Sequence, residues 1–237
     1  MTTYRLQVAA TAAELANQTA EQMAAVIDLA LAERDRVQIA LAGGETPRAS
    51  YTRLGNQHLP WDRVDVLLGD ERWVAADDPA SNARMLGETL LAQDPARRAA
   101  FHPVPTHHAS AAASAEAYGK LLSRLCPGDP PCFDLILLGL GDDGHTASLF
   151  PGTAAPTIRD RSVTLGEGKG LVRITLTAAV LSAARRVIFL VSGAGKQQAL
   201  KRLLDPNEPA DRTPARLVQP TTEVLIMADA AAAQPLL

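Results

Sequence analysis

Seven consecutive residues, Gly139-Leu140-Gly141-Asp142-Asp143-Gly144-His145, hold a histidine, two aspartates and three glycines. A carboxylate beside an imidazole is suited to activating water: the ring takes the proton and the carboxylate favours the imidazolium that forms. Asp143 and His145 are therefore the candidate catalytic pair. A second stretch, Gly43-Gly44-Glu45-Thr46-Pro47, offers backbone N–H groups at the start of an expected helix. Free N–H groups and the helix dipole favour an anion such as phosphate there, the alternative being a tight, capped turn. Arg72, in Asp70-Glu71-Arg72, carries the planar fork that binds two phosphate oxygens, unless it is held in an internal ion-pair network. Lys196 adds a point charge, its alternative being a solvated lysine at a helix end.

Other chemistries fail on spacing. The glycines at 139, 141 and 144 spell GxGxxG, but Pro151 follows seven residues after Gly144, leaving no room for a dinucleotide-binding helix. Gly195-Lys196 lacks the first glycine and the Ser/Thr of a phosphate-binding loop of the Walker type. Ser148 has no G-x-S-x-G setting. His58, His102, His107 and His108 have no partner pattern and are expected to face solvent; His107-His108 is too little for zinc. Cys126 and Cys132, the two cysteines, read as incidental thiols. No metal and no cofactor is expected.

The elements that must position these groups are legible as apolar runs. Val37 to Leu41, Val64 to Leu68, Leu135 to Leu138 and Val187 to Val191 read as strands buried on both faces. Weaker strands are expected at Tyr4 to Val8, Phe101 to Val104 and Val224 to Met227, with a strand pair at Ser162 to Leu165 and Arg173 to Leu176. Helices are expected after Thr11 through Glu33, from Pro47 (capped by Thr46) to Gly55, from Ser81 to Ala92, from Ser110 to Leu125, after Thr177, and from Lys196 to Leu204. Alternating strands and helices imply an α/β fold: a doubly wound, mainly parallel sheet with helices on both faces, in one domain over residues 1–237. Such sheets bind ligands past the carboxyl ends of their strands, where all the candidate turns fall.

With 47% hydrophobic and 21% charged residues, the chain has an ordinary globular balance, and its formal charge of −3 gives no pull toward nucleic acid or an anionic membrane. An anionic substrate must therefore be drawn by local cations. No apolar run approaches the roughly 20 residues of a membrane span, and no signal peptide opens the chain.

Gly43-Gly44-x-Thr46-Pro47, Gly69-Asp70-Glu71-Arg72-Trp73, Ser81-Asn82 and the long run from Gly139 to Pro151 together resemble the 6-phosphogluconolactonase family. Arg173-Ile174-Thr175-Leu176-Thr177 and Gly193-x-x-Lys196 extend the likeness over nearly the whole chain. The related glucosamine-6-phosphate deaminases share the glycine turn but differ after His145 and at Arg72. One departure stands out: Gly166-Glu167-Gly168-Lys169-Gly170 replaces a Lys-Pro-Pro-like segment of the lactonases. The resemblance implies a cytoplasmic, metal-independent enzyme that opens a phosphosugar lactone, with His145 as general base and Asp143 orienting it. It assigns the phosphate to Gly43, Gly44, Thr46, Arg72 and Lys196, with Arg173 a weaker candidate. The alternatives are an amino-sugar phosphate deaminase or isomerase and a non-catalytic sugar-phosphate sensor. The oligomeric state stays open, a monomer being compatible with the chain.

Overall fold

Runs of β-branched and leucine residues with no polar alternation need cover on both faces, and the central strands receive it. The computed structural model describes residues 2–236. The chain runs β1 (Tyr4–Ala9), α1 (Ala12–Glu33), β2 (Val37–Leu41), α2 (Arg48–Gly55), β3 (Val64–Leu68), β4 (Asp70–Arg72), α3 (Asn82–Glu88) and β5 (Ala100–Phe101). It continues through α4 (Ala111–Leu125), β6 (Leu135–Gly139), β7 (Val163–Gly168), β8 (Leu171–Leu176), α5 (Ala178–Ala183), β9 (Val187–Val191), α6 (Gln197–Leu204), β10 (Val224–Asp229) and α7 (Ala230–Ala233). Seven strands form one sheet in the order β1-β10-β9-β6-β2-β3-β5, and every pairing in it is parallel. Every residue of β2, β3, β9 and β10 is buried. That burial is the signature of a parallel sheet covered on both sides.

α1 is set by its sequence at both levels. Thr11 Oγ1 accepts from the Glu14 N–H at 3.1 Å, while Glu14 reaches back to the Ala10 N–H at 3.0 Å, a reciprocal cap. Leu15, Met23 and Ile27 then fall on its buried stripe; full burial of such side chains contributes about 1.5–3 kcal/mol each.

The order of strands creates the site. From β2 the chain passes to β3 on one side, while β6 returns on the other, so the direction of winding switches between β2 and β6. Ligand crevices open at such a point, outside the strands' carboxyl ends. The turns after Leu41 and after Gly139 meet there.

Several expectations shift. Asp70 to Arg72, read as a charged turn, is strand β4; it pairs antiparallel with β8 in a second, three-stranded sheet, β4-β8-β7. Its partner lies about a hundred residues away, which local patterning cannot see. Thr46 is not a helix cap: Pro47 takes that place, without a side-chain cap bond, and its carbonyl accepts from the Tyr51 N–H at 2.9 Å. Thr177 does stand at the N-cap of α5, but its hydroxyl makes no cap bond and donates to the Arg161 carbonyl at 2.9 Å. Ser81 does cap α3, but that helix stops at Glu88. His102 is not solvent-facing; its Nε2 lies 2.9 Å from the buried Asp65 carboxylate.

Candidate active site

Glycine is obligatory in the turn from Gly139 to His145 for steric reasons. A Cβ on Gly141 would overlap both the His145 ring and the Asp143 carboxylate, and Gly144 has φ +92°. The turn closes on itself through Gly141 N–H to His145 O (2.8 Å) and Gly144 N–H to Gly141 O (3.0 Å). Thr146 Oγ1 ties it back to the Gly139 carbonyl at 2.8 Å. No helix follows, so the dinucleotide reading fails in space as it does in sequence.

This turn holds Asp143 and His145 as a pair. One oxygen, Asp143 Oδ1, accepts from the His145 backbone N–H at 3.0 Å and faces its ring Nδ1 at 2.5 Å. His145 Nε2 has no hydrogen-bond partner among the described residues. The ring packs on Phe150, with centroids 4.3 Å apart, and its side chain is only 15% exposed. Burial outweighs the pull of Asp143 and holds His145 below the usual histidine value of 6.5, with Lys169 adding to the lowering. Burial by itself would raise Asp143, but its bonds to the His145 backbone and ring bring it below the ordinary carboxylate range. Near neutral pH the imidazole is therefore unprotonated and the carboxylate charged, the state a general base requires.

His145 lines a cleft of about 250 Å³ together with Gly43, Gly44, Thr46, Arg72, Arg173 and Lys196. Asp143 stands behind the ring. A larger groove of about 1000 Å³ beside α4 and β7 holds none of these residues, so chemistry and not size selects the site. On the β2 side, Gly44 has φ +97°. The N–H groups of Gly43, Gly44, Glu45 and Thr46 have no acceptor among the described residues, as an anion-binding turn requires. Gly43 is needed for close packing, because a Cβ there would overlap the Asn82 amide.

The Arg72 guanidinium pairs with neither Asp70 nor Glu71, although the Arg72 backbone N–H donates to Glu71 Oε1 at 2.8 Å. Its Nη1 donates to Ala80 O (2.7 Å) and Asn82 Oδ1 (2.6 Å), and its buried Nε has no partner among the described residues. Glu71 serves α3 instead, accepting from the Asn82 and Ala83 N–H groups, both at 2.7 Å. Arg173 lies opposite Arg72 across the β4–β8 ladder. It is 3.7 Å from Asp70 and 5.4 Å above the Phe150 ring, and burial lowers its pKa. Lys196 forms no ion pair among the described residues. In all, Arg72, Lys169, Arg173 and Lys196 line the cleft against Glu45 and Asp70, a cationic excess in a chain of formal charge −3.

Sequence reasoning missed three lining residues. Asn82 was visible only as part of a motif, Asp70 only as part of a charged cluster, and Lys169 only within a glycine-rich loop of unassigned role. Among the described residues, no three His, Cys, Asp or Glu side chains are grouped to hold a metal.

Fold and site together define a parallel α/β protein with a carboxylate–imidazole pair in a cationic cleft at the sheet's switch point. The sequence profile of the glucosamine-6-phosphate isomerases/6-phosphogluconolactonase matches residues 10–227, and the chain belongs to that family. A 6-phosphogluconolactonase of Synechocystis sp. is 45% identical over 213 residues, covering 89% of either chain. One of Nostoc sp. is 42% identical over 209 residues, 87% of either chain. The solved structure of 6-phosphogluconolactonase from Trypanosoma brucei matches with a TM-score of 0.88 at 32% identity, covering 100% of both chains.

Proposed function

We propose that this protein hydrolyses 6-phospho-D-glucono-1,5-lactone to 6-phospho-D-gluconate, the second step of the oxidative pentose phosphate pathway. The observation that carries the reading is the Asp143–His145 pair, with the unprotonated ring lining a cationic cleft. The relatives named above, at up to 45% identity, support the choice of substrate.

In this reading His145 Nε2 removes a proton from water as its oxygen adds to the lactone carbonyl. Asp143 holds Nδ1–H and stabilises the imidazolium. The tetrahedral intermediate then expels the ring oxygen, which takes the proton from Nε2, and the new carboxylic acid ionises. Gly43, Gly44, Thr46, Arg72 and Lys196 hold the phosphate, with Arg173 beside them. The substrate's phosphate and its carbonyl lie at opposite ends of the sugar, so one set of groups binds and the other reacts.

The reading takes residues 1–237 as one catalytic domain of the cytoplasm, without metal or cofactor and with no oligomeric state assigned. Among the described residues no helix is long and apolar enough to cross a membrane. The test is acid release from freshly made phosphogluconolactone, corrected for spontaneous hydrolysis and repeated in excess chelator. Turnover in both conditions is expected. Ammonia release from glucosamine 6-phosphate without lactone hydrolysis would replace the reading with a deaminase, and binding without any turnover would replace it with a sensor.

A further inference from the structure

The β7–β8 hairpin turns through only two residues, since Gly168 pairs with Leu171. Both turn residues have positive φ, Lys169 at 55° and Gly170 at 77°, as a type I′ turn requires. Asparagine, aspartate or glycine suits the first of these positions; lysine does not, and the fold gives no reason for one. Residues held in such backbone regions cluster at functional sites.

The hairpin is pressed onto the segment that follows the catalytic turn. A Cβ on Gly166 would strike the Ser148 carbonyl, and one on Gly168 would overlap the Phe150 ring, the same ring that packs on His145. Two glycines thus let the hairpin approach until its tip reaches the cleft, where Lys169 joins His145 in the lining. Lys169 is exposed and has no ion-pair partner among the described residues. Its charge is felt by His145 and Asp143, lowering both. The hairpin thus brings two cations to the cleft, Arg173, which is paired with Asp70, and Lys169 at its tip, which is not.

We propose that Lys169 is a catalytic residue at the carbonyl end of the cleft, facing the oxyanion as water adds and then the carboxylate that forms. The role rests on the lactonase reading. It requires no new bond to the protein: the charge on the carbonyl oxygen grows as the water oxygen attaches and is held by the ammonium until the ring oxygen leaves.

Lys169→Asn separates charge from fold, because asparagine is the better residue for the turn. Its melting temperature should equal or exceed that of the wild type. Its kcat on phosphogluconolactone should fall about 10- to 100-fold, and Lys169→Arg should recover most of that loss. In parallel, 6-phosphogluconate and glucitol 6-phosphate are titrated against both proteins by calorimetry. The two ligands share the phosphate, and only the first has the carboxylate. Lys169→Asn should weaken the first by about the same factor and leave the second unchanged within about twofold. A Lys169→Asn enzyme with kcat within about twofold of wild type, or one that loses both ligands equally, overturns the proposal. A wild-type protein without lactone turnover defeats the lactonase reading instead, while the two-ligand comparison still decides whether Lys169 reads the carboxylate.

Discussion

Replacing Asp143 by asparagine should cost far less than replacing it by alanine, because of how the carboxylate is used. Only one oxygen, Oδ1, meets His145: it accepts from the backbone N–H and faces ring Nδ1. An amide oxygen can occupy that place and keep the same imidazole tautomer, with the amide nitrogen where Oδ2 now stands. What is lost is the charge. A hydrogen bond to a charged group contributes about 1.5–3 kcal/mol and a neutral one about 0.5–1.5. The difference of roughly 1–1.5 kcal/mol corresponds to a fall in kcat of about 5- to 12-fold at 1.36 kcal/mol per decade. Asp143→Ala removes the whole contact and frees the ring, so about 10- to 150-fold is expected. The pH profile supplies a second reading. Asp143 raises the pKa of His145 against the larger effect of burial, so without its charge the pKa falls further. Neutral His145 is the active form, and the acid limb of kcat/KM should therefore move to lower pH in Asp143→Asn. Steady-state kinetics across pH, with spontaneous hydrolysis subtracted, measures both. A kcat for Asp143→Asn as low as that of Asp143→Ala, or an acid limb displaced upward, refutes the single-oxygen geometry.

His145→Ala should lower kcat by about 10²–10⁴ while 6-phosphogluconate still binds; in the wild type the acid limb should lie below 6.5, because burial depresses the ring's pKa. Lys196→Ala should raise KM by about 10- to 150-fold with little change in kcat or melting temperature, since a phosphate held equally in ground and transition states contributes uniform binding. Arg72→Ala should raise KM similarly but also lower stability, because its guanidinium ties Ala80 to Asn82; a stable Arg72→Ala enzyme with unchanged KM removes Arg72 from the phosphate site. Glu71→Ala should destabilise by about 2–6 kcal/mol in chemical denaturation, from two amides of α3 left unpaired at about 1–3 kcal/mol each, whereas Glu71→Gln should cost less.

The central strands, the long first helix and the carboxylate–imidazole turn of the candidate site are written locally. Val37 to Leu41 or Val187 to Val191 admit no solvent-facing alternative, and Thr11 with Glu14 marks the start of α1. Asp143 and His145 are two residues apart, so the turn that joins them is encoded within the motif, and glycine at 141 is demanded by the two side chains themselves. What local sequence cannot carry is any choice made between distant segments. Whether Arg72 pairs with its acidic neighbours or with Asn82 depends on β4 finding β8, and whether Asp70 meets Arg173 depends on the same ladder. The lysine in the glycine-rich loop looks like an idle surface charge until Gly166 and Gly168 let the hairpin settle on Ser148 and Phe150. Side-chain type and short spacing thus determined the Asp143–His145 pair, because its geometry closes within one turn. Tertiary structure decided which cations surround it, because those groups arrive on strands whose partners lie far along the chain.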